Sequence, residues 1–286
     1  VFEHHDRVFT VYGRTLFEVE TVGAVTNRGT VAVDSNPVTM DTSGDAGGDL
    51  FVWSGGVGYN YDLGTNVLTT VLASGATMGG HLDGFFVSLN AATSTMRISD
   101  SLDGLTWSGT QIAQRSSASD GWIALIVARG EIYLFGRKTG EAWYNRGSSP
   151  FPFAQRPEGV FQVGIRAAFS LARFATSIAW LGRTEQGNPA VYVLDGYTPL
   201  VVSTPALEAQ IQVWERDYGI EDAIGWSYER DGHKFYALRF PGPERTVVYD
   251  WTTRKWHDRG FWDTDNAAFV GYRAQFQAAG HSRNLV

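Results

Sequence analysis

Three kinds of feature in this sequence invite a chemical reading: histidines beside carboxylates, glycine-rich loops, and the residue types of a Ser/His/Asp arrangement. His4-His5-Asp6 is the place where two histidines and an acid are adjacent. Neighbouring residues on a strand point to opposite faces, so His4 and His5 are not expected to share one ion. The remaining histidines, His81, His233, His257 and His281, are scattered singly. The chain has no cysteine, which removes disulfides, thiolate nucleophiles and Cys-ligated metals together. No Gly-x-Ser-x-Gly elbow is present to mount a serine nucleophile. The glycine-rich stretches, Gly44 to Gly48 and Gly55-Gly56-x-Gly58, are not followed by helical patterns, so neither reads as a phosphate-binding loop. Glycoside hydrolysis needs two converging carboxylates, and among 30 acidic residues the sequence singles out no pair. The expectation is a chain with no catalytic residue, no metal and no cofactor.

Two further motifs look like chemistry and read better as architecture. Ser101-Leu102-Asp103-Gly104-Leu105-Thr106-Trp107 resembles the Asp-box turn of sialidase propellers but is one residue short. Even a complete Asp box is a structural turn. Tyr249-Asp250, with Trp256 seven positions after the tyrosine, resembles the aromatic spacing of kelch blades, where such rings pack between adjacent sheets. A sialidase-like or carbohydrate-binding propeller is therefore the alternative reading.

The elements that would carry these residues are short strands. The chain has 286 residues with 10 Trp, 12 Tyr, 17 Phe and 33 Gly, and 43% of it is hydrophobic. Gly with aromatics, and no long Ala/Leu/Glu/Lys runs, is the composition of many strands joined by tight turns. Residues 7–12 and 15–20 alternate about the two-residue link Gly13-Arg14, a strong hairpin signal. Comparable strand groups follow at 50–72, 84–99, 123–144, 177–202 and 223–250. A unit of three or four strands recurring about every 40 residues is the signature of propeller blades. The reading is an all-β, β-propeller-like fold of about six blades, with five or seven also compatible.

One short helix is expected at residues 204–214, where Thr204 can cap and Pro205 suits the first turn. Leu207, Ile211 and Trp214 then share one face. These three and Tyr218 are the candidate partner contacts, because this insertion is the one break in the strand pattern. No linker divides the chain, so residues 1–286 read as one domain. Residues 267–272 read as the first strand of another blade, able to close the ring beside the N-terminal hairpin and so remove an exposed edge. The chain begins without Met and ends at Asn284-Leu285-Val286 in what reads as mid-blade, which suggests a piece of something longer.

The formal net charge is −7, and no Lys/Arg cluster of the kind that displaces counterions from duplex DNA stands out. DNA passing nearby is compatible with this balance, whereas tight sticking is opposed. No stretch approaches the roughly 18 apolar residues of a membrane helix.

From Gly130 the sequence resembles a known family. Gly130-Glu131-Ile132-Tyr133-Leu134-Phe135-Gly136, Glu141-Ala142-Trp143-Tyr144-Asn145 and Phe151-Pro152-Phe153 come first. Ala179-Trp180-Leu181-Gly182-Arg183, Gly196-Tyr197-Thr198-Pro199, Gly232-His233-x-Phe235-Tyr236 and Tyr249-Asp250 with Trp256-His257 follow in order. The series is similar to the tail hub family of short-tailed phages, often called packaged-DNA stabilisation proteins. The likeness is clear over residues 130–260 and looser over 7–107. It implies a virion protein assembled in the host cytoplasm. It also implies a propeller-like nozzle that forms a six-fold ring of its own copies. The portal and adaptor would lie above it, tail tip or needle proteins below, and DNA would pass through without sequence-specific binding. Trp143, Tyr144, Trp180, Tyr236, Tyr249 and Trp256 are expected to be blade-core aromatics.

Overall fold

The computed structural model describes residues 1–44, 48–115, 120–184, 187–272, 274, 276–281 and 283–285. Of the glycine-rich stretch at 44–48, only Gly44 and Gly48 lie within them, and Val286 lies outside.

Six four-stranded sheets follow one another along the chain, each an antiparallel run in sequence order. The first holds β1 (Phe2–His4), β2 (Arg7–Tyr12), β3 (Thr15–Val19) and β4 (Val25–Thr30). The second holds β5 (Thr39–Thr42), β6 (Asp49–Ser54), β7 (Val57–Asp62) and β8 (Val67–Leu72). The third holds β9 (Met78–Leu82), β10 (Phe85–Asn90), β11 (Thr95–Ile98) and β12 (Ile112–Gln114). The fourth holds β13 (Ala124–Ala128), β14 (Glu131–Phe135), β15 (Gly140–Asn145) and β16 (Phe153–Phe161). The fifth holds β17 (Ala172–Phe174), β18 (Ser177–Arg183), β19 (Pro189–Asp195) and β20 (Thr198–Val201). After α1 (Pro205–Tyr218), the sixth holds β21 (Ile224–Arg230), β22 (His233–Phe240), β23 (Arg245–Asp250) and β24 (Lys255–Asp258). Two hairpins end the chain, β25 (Gly260–Asp263) with β26 (Ala268–Gly271) and β27 (Ala278–Gly280) with β28 (Arg283–Leu285). This is a six-bladed β-propeller, mostly strand, with one α-helix among the described residues.

The chain divides into two compact units. One comprises Val1–Leu134, Ala142–Arg156 and Ala278–Leu285, the other Phe135–Glu141 and Pro157–Gln277. In the first, the period-two alternation of a strand explains the packing of β6. Leu50 and Val52 pack with Phe9 and Leu16 of the first sheet. Phe51 and Trp53, on the other face, pack with Phe86 of the third. A central strand buried on both faces therefore reads as a continuous apolar run rather than an alternating one. The β27–β28 hairpin belongs to this unit: His281 Nε2 donates to the Val19 carbonyl at 2.9 Å.

In the second unit Ala179, Leu181, Val191 and Val193 of the fifth sheet share a core with Tyr236, Leu238, Phe240 and Tyr249 of the sixth. The opposite face of the sixth sheet packs Trp226 and Tyr228 against Tyr272 and Phe276. Within residues 267–272, read from sequence as the first strand of a further blade, β26 pairs with β25.

One turn recurs. Asp62, Asn90, Asp250 and Asp263 each end a strand and accept a backbone N–H two residues on, at 2.8, 3.1, 2.9 and 3.0 Å. The residue four positions after each, Asn66, Ser94, Arg254 or Ala267, has positive φ. An Asx side chain that mimics a backbone turn closes these hairpins. His5 and Asp6 also have positive φ, so they form the β1–β2 turn. The opposite-face rule fails for His5 because it lies off the strand, and the His4 and His5 rings meet edge-on at 4.1 Å.

Candidate functional site

The six blade aromatics are placed as follows. Trp180 and Tyr236 are fully buried and Tyr249 nearly so, while Trp143, Tyr144 and Trp256 are half-buried. Trp180 stacks on Tyr192 at 5.6 Å and donates its indole N–H to the Gly164 carbonyl at 3.2 Å. The Tyr236 hydroxyl donates to the Ser170 carbonyl at 2.6 Å, and burial pushes its pKa up. Trp256 ties β24 to the chain before α1, donating to the Val202 carbonyl at 2.7 Å. Trp143 meets Trp122 edge-on at 5.7 Å, and the Arg156 guanidinium lies 4.5 Å over Tyr144.

Helix α1 starts where the sequence puts it and runs one turn further. Thr204 Oγ1 accepts the Leu207 N–H at 3.3 Å, Pro205 occupies the first turn, and Gly219 at φ 78° ends the helix. The four candidate contacts have different surroundings. Ile211 and Trp214 are turned into the core, where Trp214 lies 4.9 Å from Phe240. Leu207 packs partly against the same cluster. Tyr218 is 62% exposed. Ile211 and Trp214 of the apolar face thus anchor the helix, and Tyr218 at its C-terminal end stays exposed. A groove of about 510 Å³ runs beside it, bordered by Leu207, Gln210, Arg245, Trp256 and Asp258.

The C-terminal half of α1 also organises charge. Glu215 Oε1 accepts Arg166 Nε at 2.7 Å and Arg183 at 2.6 Å, and Arg166 also pairs with Glu221. Arg166 and Arg183 belong to a cleft of about 540 Å³, with Arg137, Lys138, Thr184 and Gly187 on its other walls. Sequence reading missed this cluster, because its cations come from three separate segments and no run of basic residues announces it.

The motifs that resembled chemistry serve the fold. Asp103 accepts the N–H groups of Leu105 and Thr106 at 2.8 and 3.2 Å, and its hydrogen bond with the Thr106 side chain lowers its pKa. Trp107 closes the same turn by donating to the Gly104 carbonyl at 2.9 Å. Burial raises the pKa of Asp49, whose carboxylate accepts the Asn60 amide at 2.8 Å. Burial lowers that of His81. No group of three His, Cys, Asp or Glu able to hold a metal ion occurs among the described residues. None of their helices is long and apolar enough to cross a membrane.

Comparison with known proteins decides the family. The model of the bacteriophage P22 Gp10 β-propeller family matches residues 1–279. The chain belongs to this family. The P22 Gp10-type propeller seen here is also similar in fold to solved propellers of other origins. A chain in the crystal structure of the mitotic checkpoint complex matches with TM-score 0.54 at 13% identity, over 96% of this chain and 81% of that one. A streptogramin B lyase structure matches with TM-score 0.53 at 6% identity, over 91% and 81%. A chain of a nidogen/laminin complex matches with TM-score 0.50 at 10% identity, over 93% and 96%. At these identities the likeness concerns the fold alone. No curated protein matches the sequence.

Proposed function

We propose that this chain is a structural, non-enzymatic component of a phage tail. In this reading its copies form a cyclic ring, a hub or nozzle below the portal and adaptor. The ring retains packaged DNA and lines the channel through which it leaves. The observation that carries the reading is the match of a phage β-propeller family model to residues 1–279. The physics supports it. Blades with cores on both faces make a rigid scaffold whose loops are left to dock partners. Asp103 and Asp250 serve hairpin turns here. Asp103 and Asp250 are each held by several turn donors, which leaves them poorly placed for proton transfer to a substrate. A ring of identical subunits uses heterologous contacts that close by rotation. The outer side of α1 around Tyr218 and the neighbouring groove are the surfaces we assign to such contacts. The termini would meet within one propeller domain.

The experiment is co-expression of this chain with the portal, adaptor and tip proteins of its phage, followed by affinity capture and crosslinking. Capture with portal and adaptor, with crosslinks near residues 205–218, is expected. A chain that joins none of them loses the hub assignment.

A further inference from the structure

We propose that the cleft lined by Arg137, Lys138, Arg166 and Arg183 binds phosphate oxygens, and that their source is the DNA backbone. Among the described residues its lining holds four cations, and with Glu215 paired to both Arg166 and Arg183 and Glu221 paired to Arg166 the cluster keeps a net positive charge, in a chain whose net charge is −7. That is an unusual share of only 23 basic residues. The source of the phosphate rests on the tail-hub reading, whereas the chemistry of the cleft does not.

The backbone holds the cations together. Arg137 and Lys138 sit on the turn between β14 and β15, which is closed by Gly136 N–H donating to the Thr139 carbonyl at 2.8 Å. That turn is pinned to the next segment, where Ile165 N–H donates to the Gly136 carbonyl at 2.9 Å. Gly164 makes the approach possible, since a Cβ there would collide with the backbone of Arg137 and Lys138. The same segment is tied to β18 in turn. Ile165 bridges Gly182, and Arg166 N–H donates to the Leu181 carbonyl at 2.8 Å. Three chain segments are thereby locked side by side, and each delivers a cation to one concavity.

The side chains are also prearranged. Glu215 takes both Arg166 and Arg183 on one oxygen, which orients the two guanidinium groups. Arg183 stays 42% exposed, and Arg137 and Lys138 are exposed. Arg presents a planar fork that suits tetrahedral phosphate oxygens, and Lys adds a point charge. Low-dielectric walls focus the field of such a cluster locally, even where the whole surface is acidic. An acidic chain with one basic cleft would hold a DNA strand at one place and repel it elsewhere. That behaviour suits a protein that must retain DNA and later release it.

The test is fluorescence anisotropy of the full chain with a short labelled DNA duplex and with the matching single strand, across a salt series. Inorganic phosphate and poly-glutamate serve as competitors. Four cations against the carboxylates of Glu215 and Glu221 leave about two net charges, which predict a log–log salt slope of about −1.8 on duplex, a loss of about 12-fold in affinity between about 50 and 200 mM salt. R137A/K138A, which changes two exposed side chains, should flatten the slope to near zero, while circular dichroism and the melting temperature stay unchanged. Displacement of DNA by millimolar inorganic phosphate would support the site and widen its source to free phosphate. Failure of inorganic phosphate to compete would support the backbone as the source. Absence of binding to DNA and phosphate at low salt, or an unchanged slope in R137A/K138A, would overturn the proposal. So would capture of poly-glutamate without DNA, which would make the cleft a dock for an acidic protein. A ring seen on the tail axis together with an unchanged slope would sink this site and leave the hub standing; DNA binding by a chain absent from the particle would do the reverse.

Discussion

Asp250 shows how one side chain can brace the end of a blade strand. It is 3% exposed and accepts the Thr252 N–H at 2.9 Å, the Thr253 hydroxyl at 2.7 Å and His233 Nδ1 at 2.8 Å. Burial alone would raise its pKa, but these donors outweigh it and hold the carboxyl at about 2 instead of 3.8. A carboxyl whose pKa is depressed in the folded state contributes stability above its unfolded pKa and loses it as pH falls through the folded one. Wild type should therefore be more stable than D250N at neutral pH, and the gap should shrink from about pH 4 down to about pH 2. Urea melts of both proteins across that range check it; a constant gap would contradict the assignment. Trp180 tests packing in the same way. It is fully buried among Phe135, Phe161 and Tyr192, so W180A should cost ~3–5 kcal/mol in urea unfolding. Asp103 tests the non-enzymatic reading: its Oδ1 accepts two turn N–H groups, and a fluorogenic sialoside should show no turnover. Turnover abolished by changing a single carboxylate would reverse that conclusion.

Elements were legible in the sequence in proportion to how much apolar surface they bury. The central strands β6, β10, β14, β18, β19, β22 and β23 announce themselves as runs of Val, Leu, Phe, Tyr and Trp, because both faces pack on neighbours. Edge strands such as β4, β12 and β24 are mixed in burial and polar in composition. Such strands form because a partner offers its hydrogen bonds, which local sequence does not record. The Asx turns were a missed signal, since Asp62, Asn90, Asp250 and Asp263 repeat one motif at equivalent hairpins. The helix was visible through Thr204, Pro205 and its apolar stripe. Ile211 and Trp214 of that stripe are buried and Leu207 partly so, a difference that only three-dimensional placement shows. The basic cleft was invisible for a related reason: Arg137, Arg166 and Arg183 converge through backbone bridges between distant segments. At this scale T204A should cost ~1 kcal/mol, the loss of one cap. Tyr218 should behave differently, since it is largely exposed. Y218A should leave the urea midpoint within about 0.5 kcal/mol of wild type while weakening capture by neighbouring tail proteins. Equal capture would remove the end of α1 from the interface.

As a whole, the molecule combines cores that run from sheet to sheet within each unit with an acidic charge balance interrupted by the basic cleft. Its cores continue from sheet to sheet within each compact unit, so a blade can shift only by disturbing its neighbours. Its charge of −7 opposes general adhesion to DNA. Family membership puts the chain among phage propellers, and the wall of a channel is the role we propose for it. Fold alone does not set such a role, because similar propellers occur in a lyase and in a mitotic complex. Position in the particle is therefore the decisive observable. Electron cryomicroscopy of the virion, with density for this chain located by its six four-stranded sheets, measures it directly. The account predicts a closed cyclic ring, six copies about the DNA axis below the portal and adaptor; a chain absent from the particle, or found only as a peripheral fibre away from that axis, would contradict it.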